Sequence, residues 1–293
     1  MFSPWYARAR RRGAADPEDH CALNVALYGA GGKRWAFTER CRAAVAREAD
    51  WFGLGPSAVA WEGGTLVARI AERSAPFALP LRGAVRLRPD AWCEESFALD
   101  AAGAHVWRPL APCAHIEVAL ERPALRWSGR AYLDSNAGDE PLEDAFARWH
   151  WSRSALQGGA TAVLYDAVRR DGSTFALARR FAPDGTARSL EPPPVAALPP
   201  TRWGVTRLTR SEAGAPVRSL QALEDAPFYA RSLVSGRLLG ETATAVHESL
   251  CLDRFRRAWV QALLPFRAPR RAGIAGTGPR PARDGGGREE VSI

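Results

Sequence analysis

The sequence predicts a mainly β fold, because short segments of alternating apolar residues recur along most of its 293 residues. Three pairs of these segments flank turns that contain glycine, as hairpins do: residues 21–27 and 34–38, 59–61 and 65–70, and 162–169 and 174–181. Helical patterns are scarce and are confined to residues 40–49, 142–147 and 253–264. Many short strands with few helices are typical of β-barrels and β-sandwiches.

The composition argues against several classes of protein. Hydrophobic residues make up 46% of the chain and charged residues 25%, which is ordinary for a globular protein. No apolar run reaches the roughly 18 residues that a membrane-spanning helix needs, and no secretory signal segment opens the chain. The net charge of +8 comes from scattered arginines that are accompanied by acids, with Lys33 the only lysine. No nucleic-acid partner is therefore predicted.

Neither a metal site nor a nucleotide cofactor is predicted. The five cysteines are widely spaced without a CxxC pair, and the five histidines show no HExxH spacing. The glycines between residues 29 and 32 do not form the GxGxxG pattern of a dinucleotide site. The cysteines are expected to be reduced, as they are in cytoplasmic proteins.

The chain is long enough for two domains. The predicted boundary lies where two strand-rich halves meet, and it gives an N-terminal β domain over residues 1–120 and a C-terminal β domain over residues 121–267. The proline-dense residues 191–200 are interpreted as an extended connection within the second domain. Residues 268–293 are rich in Gly, Pro and Arg and are predicted to form a disordered tail.

Residues 127–153 carry the clearest indication of chemistry. They place the acids Asp134, Asp139 and Glu140 close in sequence to large aromatic rings. An acid that an apolar wall keeps protonated can deliver a proton to an unreactive substrate. Aromatic faces can then attract the cation that results.

Alternation along the predicted strands groups these side chains. Tyr132 and Asp134 are expected to share one face of a strand, and Trp149 and Trp151 share one face of the next. The structural alternative is that the acids line a solvated turn and that the tryptophans fill the core.

Four segments of the sequence match those of a known family: DHCALNVALYG (19–29), KRWAFTER (33–40), LGPSAVAWEGGTL (54–66) and GRAYLDSNAGDEPLEDAFARWHWSR (129–153). Together they resemble the bacterial carotenoid 1,2-hydratases, which are also called hydroxyneurosporene synthases. The likeness runs in order from residue 2 to residue 264, and the segment 129–153 is its most specific part.

The resemblance implies a cofactor-independent hydratase that adds water to the terminal C1=C2 bond of acyclic carotenoids such as neurosporene and lycopene. It also implies two lipocalin-like β-barrel or sandwich domains with few short helices, in agreement with the strand pattern. The expected partners are the acyclic carotenoid and water. The expected location is the cytoplasm, peripheral to the inner or photosynthetic membrane.

Hydration of such an alkene needs a positioned acid. Under the resemblance Asp134 is the expected donor, because it ends an alternating strand where a side chain can face a pocket. Asp139 and Glu140 are alternative donors, or partners that keep Asp134 protonated by charge repulsion. A turn role remains open for all three.

The same segment supplies the expected substrate-binding residues. Tyr132, Trp149 and Trp151 are expected to line the site of the carbocation, and Asn136 is expected to orient the attacking water. For the tryptophans a place in the barrel core is the alternative, and for Asn136 a place in the turn.

A water-insoluble polyene has to be taken from a membrane or handed over at its surface. Phe2, Trp5, Tyr6 and the arginines within residues 8–12 are expected to contact an anionic membrane surface. Two other functions remain open at this point. One is a lipocalin-like carrier that binds a hydrophobic pigment without changing it, and the other is a barrel cyclase that acts on another isoprenoid or polyketide.

Overall fold

The computed structural model describes residues 2–29, 33–271 and 278–280. Strands make up 55% of the structure and helices 13%, which confirms the predicted mainly β fold with few short helices. Among the described residues, no helix is long and apolar enough to cross a membrane.

A short helix and a hairpin come first. The helix and the two strands are α1 (Pro4–Arg10), β1 (Cys21–Leu27) and β2 (Arg34–Arg40). Ser3 caps α1, because its side-chain oxygen accepts a hydrogen bond from the backbone amide of Tyr6 at 2.9 Å. The two strands pair antiparallel, so the predicted hairpin is confirmed, although its turn residues 30–32 lie outside the described part of the chain.

An eight-stranded antiparallel sheet follows. Its strands are β3 (Val45–Arg47), β4 (Trp51–Leu54), β5 (Ser57–Glu62), β6 (Thr65–Arg73), β7 (Pro80–Pro89), β8 (Phe97–Ala98), β9 (His105–Arg122) and β10 (Leu125–Gly138). They lie in the order β10-β9-β7-β6-β5-β4-β3, with β8 beside β9. The hairpin predicted around Gly63 and Gly64 is β5–β6, and both glycines have the positive φ that a two-residue turn needs.

The second large sheet has seven strands. They are β11 (Phe146–Ala155), β12 (Thr161–Arg169), β13 (Thr174–Phe181), β14 (Ala187–Ser189), β17 (Arg218–Asp225), β18 (Tyr229–Leu238) and β19 (Glu241–Cys251), in the order β14-β13-β12-β11-β19-β18-β17. Strands β15 (Val195–Leu198) and β16 (Arg207–Arg210) form a separate two-stranded sheet. The proline-dense connection is therefore extended, as predicted.

Both large sheets are open in the described residues, because the strands at the two ends of each order do not pair with one another. The outermost strands β3 and β14 have only 3 residues each, so they offer little backbone for closure. Of the barrel and the sandwich, which the sequence left open as alternatives, the described residues do not form a closed barrel, and the predicted mainly β class is confirmed.

Three further helices are short: α2 (Leu142–Ala145), α3 (Leu252–Phe255) and α4 (Ala258–Arg267). They confirm the helical patterns at residues 142–147 and 253–264. The helix predicted at residues 40–49 is wrong, since only a 3₁₀ turn, Arg42–Ala44, precedes β3 there. Pairing of β3 with β4 accounts for the difference, because tertiary context overrides helix propensity.

The division at residue 120 remains a prediction. That residue lies inside β9, which pairs with β10 in the first sheet. The predicted tail begins with hydrogen-bonded backbone: β20 (Arg270–Arg271) pairs in parallel with β2. The rest of that prediction, residues 272–277 and 281–293, lies outside the described residues.

The largest buried cluster joins the two halves of the structure. Trp107 and Cys113 of β9 pack there with Phe146 and Trp149 of β11 and Tyr165 of β12. The ring centroids of Trp107 and Tyr165 are 5.8 Å apart. Tyr132 of β10, the neighbour of β9, also packs against this shared core.

Candidate active site

Asp134 lies on β10 at an irregular point of the ladder. The register of β10 against β9 shifts between Ala131 and Leu133 and again between Leu133 and Ser135. Such bulges re-aim side chains and are common beside active sites. Here Tyr132 and Asp134 both lie at the shifts, and their side chains meet, as the alternation predicted.

Two hydrogen bonds hold the Asp134 carboxyl group. The indole Nε1 of Trp107, a fully buried side chain, donates to Asp134 Oδ2 at 2.8 Å. The Tyr132 hydroxyl group donates to the same oxygen at 3.0 Å. Because both donors reach Oδ2, the other oxygen, Oδ1, remains to carry a proton.

Burial raises the pKa of the Asp134 carboxyl group above its ordinary value. The hydrogen bonds from Trp107 and Tyr132 oppose this shift, while the negative charge of Glu248 adds to it. Burial, and then the charge of Asp134, also raises the pKa of the Tyr132 hydroxyl group well above its usual range, so that Tyr132 acts as a neutral donor. The site therefore favours a protonated carboxyl group.

An aromatic cavity of about 170 Å³ adjoins this carboxyl group. Its lining consists of Phe2, Asp134, Asn136, Trp149, Trp151, Tyr165, Tyr229, Glu248 and Leu250. The rings of Tyr132 and Trp151 lie with centroids 5.6 Å apart, and those of Trp149 and Tyr165 lie 6.2 Å apart. Asp134 thus faces a space with rings from several strands.

The structure brings together most of the predicted site residues. Asp134, Asn136, Trp149 and Trp151 line the cavity, and Tyr132 is bonded to Asp134. Their individual roles stay predictions.

The two alternative donors lie elsewhere. The side chains of Asp139 and Glu140 are exposed at the end of β10, and neither is part of the cavity lining. The backbone carbonyl of Glu140 accepts a hydrogen bond from His105 Nε2 at 3.1 Å. In the structure these residues therefore belong to the turn, which was their structural alternative.

Several lining residues were not predicted from the sequence. Tyr165, Tyr229 and Glu248 come from β12, β18 and β19, outside the segment 127–153. Trp107 of β9, which donates to Asp134, was not predicted either. Glu248 pairs with Arg231, whose Nε and Nη2 lie 2.8 Å and 2.6 Å from Glu248 Oε1. No local motif marks these positions, and only strand pairing brings them together.

A second cavity of about 430 Å³ adjoins the first, and we call it the cleft. Its walls include Trp35 and Phe37 of β2 together with Val260 and Leu264 of α4. Phe2, Tyr229 and Glu248 line both cavities, so the cleft leads towards Asp134. Most of the remaining lining is apolar, and Phe266, which is 72% exposed, stands at its edge.

Phe2 takes part in the aromatic packing beside the two cavities. Its ring packs against Phe228 and Phe255, with centroids 5.4 Å apart in each pair, instead of facing outwards. Trp5 is half-buried, and its Nε1 donates to the backbone carbonyl of Ala268 at 2.9 Å. Phe2 is therefore part of the wall between the cavities, and the expected membrane contact stays a prediction.

Two other charged residues near the site, Arg153 and Asp166, contact partners of their own. The Arg153 guanidinium group lies over the Tyr132 ring, 5.6 Å from its centroid, and burial lowers its pKa. Asp166, a further acid of the second sheet, is held by Arg210 at 2.7 Å. Among the described residues, no three His, Cys, Asp or Glu side chains are grouped so as to hold a metal ion.

The fold and the site together define a class: β-sheet proteins that hold a carboxylic acid in the wall of an apolar, aromatic cavity. The chain belongs to the carotenoid hydratase family, since the family described as "Carotenoid hydratase CrtC" matches residues 1–276. This confirms the resemblance that the sequence segments indicated.

Named relatives agree with the family. The acyclic carotenoid 1,2-hydratase of Thiocapsa roseopersicina is 53% identical over 274 residues, which cover 93% of this chain and 67% of the relative. That of Rubrivivax gelatinosus is 47% identical, with 93% and 68% covered. Among solved structures, kievitone hydratase from Nectria haematococca matches 80% of this chain and 83% of its own, with a TM-score of 0.50 and 9% identity. That likeness concerns the fold alone.

Proposed function

We propose that this chain hydrates acyclic carotenoids at the terminal C1=C2 double bond, with Asp134 as the proton donor. The family and the acyclic carotenoid 1,2-hydratases among its relatives support the reaction. The observation that carries the choice of donor is a carboxyl group with a raised pKa in the wall of an aromatic cavity.

The proposed reaction begins with protonation. Asp134 Oδ1 gives its proton to C2 of the substrate, which leaves a tertiary carbocation at C1. Trp107 and Tyr132 hold Oδ2 and so stabilise the carboxylate that forms. General acid catalysis of this kind contributes about two to four orders of magnitude in rate.

The aromatic wall suits the cation. Trp149, Trp151 and Tyr165 present ring faces or edges around the cavity. Each ring that faces a desolvated cation can stabilise it by roughly 0.5–2 kcal/mol. Attack of water on C1 then completes the tertiary alcohol.

Incubation of the protein with lycopene or neurosporene in heavy-oxygen water tests this function. The expected product gains one molecule of water that carries the heavy isotope. A pigment carrier would bind the substrate without any gain in mass, and a cyclase would change its chromatographic retention at constant mass. Either of these results would contradict the proposal.

The rest of the substrate lies in the cleft under this proposal. A carotenoid is much longer than the cavity at Asp134, and the cleft continues that cavity past Phe2, Tyr229 and Glu248. Apolar walls of this kind match a polyene, because burial of apolar surface is worth about 25 cal/mol per Å².

Replacing Leu264 with glutamine in the cleft is expected to raise KM for a full-length carotenoid about tenfold or more. The reason is that a buried amide without partners costs roughly 1–3 kcal/mol. A short isoprenoid alkene that fills only the cavity at Asp134 should react as before. Steady-state kinetics with both substrates measures the difference.

The matched control for this change is Leu239→Gln. Leu239 is 48% exposed and lies between β18 and β19, at the end of β18 opposite to Tyr229. The Leu239→Gln variant should leave KM unchanged for both the full-length carotenoid and the short alkene. Equal KM values for wild type and Leu264→Gln would contradict the placement of the polyene in the cleft.

The membrane contact belongs to the face of the protein that carries α1 and α4, which touch one another. Trp203, Trp259, Leu263 and Phe266 expose between 43% and 72% of their surface at or beside the cleft. The arginines of residues 8–12 are exposed on the neighbouring helix α1 and the turn after it. Apolar side chains with a basic rim match an anionic lipid surface.

The double change Trp259→Ser and Phe266→Ser is expected to abolish flotation of the protein with anionic vesicles. A smaller fraction of the wild-type protein should float with vesicles of zwitterionic lipid, because the arginines then have no anionic headgroups to contact. Leu239→Ser is the control and should float as wild type does. Unchanged flotation of the double variant would rule out this face.

A further inference from the structure

Glu248 occupies the junction of the two cavities. It lies on β19, directly opposite Trp151 of β11 and Arg231 of β18. Its side chain lines both the 170 Å³ cavity and the cleft. Among the described residues that line the smaller cavity, Asp134 and Glu248 are the only two with a carboxyl group.

The Glu248 carboxylate retains hydrogen-bonding capacity. Arg231 approaches Oε1 with two nitrogens, Nε at 2.8 Å and Nη2 at 2.6 Å. An ionised carboxylate can accept roughly four hydrogen bonds, so these contacts leave room for one more donor. The group is therefore fixed in place and still able to accept a hydrogen bond.

Trp151 supplies a complementary donor. It lines the same cavity as its cross-strand neighbour Glu248. The buried Trp151 Nε1 has no hydrogen-bond partner within the described structure. A buried donor of this kind calls for a polar ligand, and a water molecule can accept from the indole and donate to the carboxylate.

The proposed hydration needs such an acceptor. When water attacks C1 of the cation, the new oxonium group has to lose a proton before the alcohol is formed. Asp134 has by then given up its own proton, but it acts at C2 and the oxonium group forms at C1. A second carboxylate in the same cavity can take the proton of the oxonium group.

This inference rests on the proposed function. We propose that Glu248 is a catalytic residue that binds the attacking water, together with Trp151, and takes its proton. Arg231 acts as a positioning residue, since it holds Glu248 and does not touch the water.

The steps balance. The Asp134 proton forms the C2–H bond, the water oxygen forms the C1–O bond, and the surplus proton of the oxonium group moves to Glu248. Return of that proton from Glu248 to Asp134 through solvent restores both groups. The net change is the addition of one water molecule.

The charge of Glu248 has a second effect on the same reaction. Its negative charge contributes to the raised pKa of the Asp134 carboxyl group, after the larger effect of burial. One residue can thus help to keep the donor protonated and then receive the proton of the nucleophile.

The test compares Glu248→Gln with wild type and with Asp134→Asn in heavy water, with an acyclic carotenoid as the substrate. Glu248→Gln is expected to form product at least about 100-fold more slowly. Because its Asp134 still protonates C2, the cation should lose a proton again instead of capturing water. Recovered substrate should therefore carry deuterium at C2 or have its double bond shifted to the terminal methyl group.

The other variants separate this role from a structural one. Asp134→Asn should give neither product nor deuterium. Glu248→Asp, which keeps the carboxylate, should restore part of the product formation. Asp166→Asn breaks an ion pair between β12 of the seven-stranded sheet and Arg210 of β16, outside both cavities, and should behave as wild type.

Two results would overturn the inference. One is Glu248→Gln hydrating the substrate within about threefold of wild type. The other is Glu248→Gln losing both product and deuterium uptake while it still binds pigment, since that pattern means a role in protonation and not in water capture. If wild type itself forms no hydrated product, the proposed function fails first, so the two failures are distinguishable.

Discussion

Replacing Asp134 with asparagine is expected to lower kcat for hydration by about 10²- to 10⁴-fold. Asparagine keeps the shape of the side chain and can still accept the hydrogen bonds from Trp107 and Tyr132. It has no acidic proton, so C2 of the substrate is not protonated. Pigment binding should remain, because the aromatic walls and the cleft are unchanged.

The matched controls are the same chemical changes at the two other predicted donors. Asp139→Asn and Glu140→Gln remove carboxyl groups that are exposed beyond the cavity. Both variants should keep the kcat of wild type. A loss of activity in either of them, with Asp134→Asn still active, would move the proton donor.

The pH dependence of wild type follows from the same group. The donor works while it is protonated, so activity is expected to fall as pH rises through the pKa of Asp134. Burial raises that pKa above the ordinary value of 3.8, which extends the active range upwards. Arg153 opposes this shift and Glu248 supports it, and both charges lie near the carboxyl group.

The raised pKa also affects stability. The folded protein binds the Asp134 proton more tightly than the unfolded chain does, so this contribution is complete below pH 3.8 and is lost as pH rises through the folded pKa. Asparagine avoids the cost of a buried charge. Asp134→Asn should therefore unfold at an equal or higher urea concentration than wild type at neutral pH.

Replacing Glu39 with alanine is expected to lower the free energy of unfolding by about 3–5 kcal/mol. Glu39 is completely buried and accepts hydrogen bonds from Ser3, His20 and Arg270. Nitrogens of His20 and Arg270 lie 2.8 Å and 2.5 Å from Glu39 Oε1. Removal of the carboxylate leaves all three donors without their common partner.

Urea unfolding measures this effect, and Arg47→Gln is the control. Arg47 pairs with Glu18 at 3.6 Å, but its side chain is 72% exposed, so the loss should stay within about 1 kcal/mol. Equal unfolding midpoints for Glu39→Ala and wild type would show that this cluster does not hold the fold together. Since Ser3 adjoins Phe2, Glu39→Ala should also weaken the wall between the cavities.

The local parts of the fold were predictable from the sequence. Hairpins such as β5–β6 depend on a turn whose glycines stand next to the strands that they join. Prediction failed at residues 40–49, where alanine and arginine favour a helix but pairing with β4 imposes a strand. Propensity is a local quantity, and sheet pairing is not.

The same distinction applies to the site. Tyr132, Asp134, Trp149 and Trp151 stand within 20 residues of one another, so alternation along two strands was enough to group them. Glu248 joins them only through the pairing of β11 with β19. Its sequence neighbours contain no motif, and its relevance depends on contacts between distant parts of the chain.

The position of Asp134 in the smaller cavity, beyond the cleft, also limits the order of events on a pigment with two reactive tips. Under the proposed placement of the polyene, only one tip can reach Asp134 at a time, because the rest of the molecule would fill the cleft and extend outwards. The molecule has to leave, turn end for end and bind again before its second tip reacts. Time courses should therefore show the singly hydroxylated compound accumulating first and the doubly hydroxylated one only after a lag.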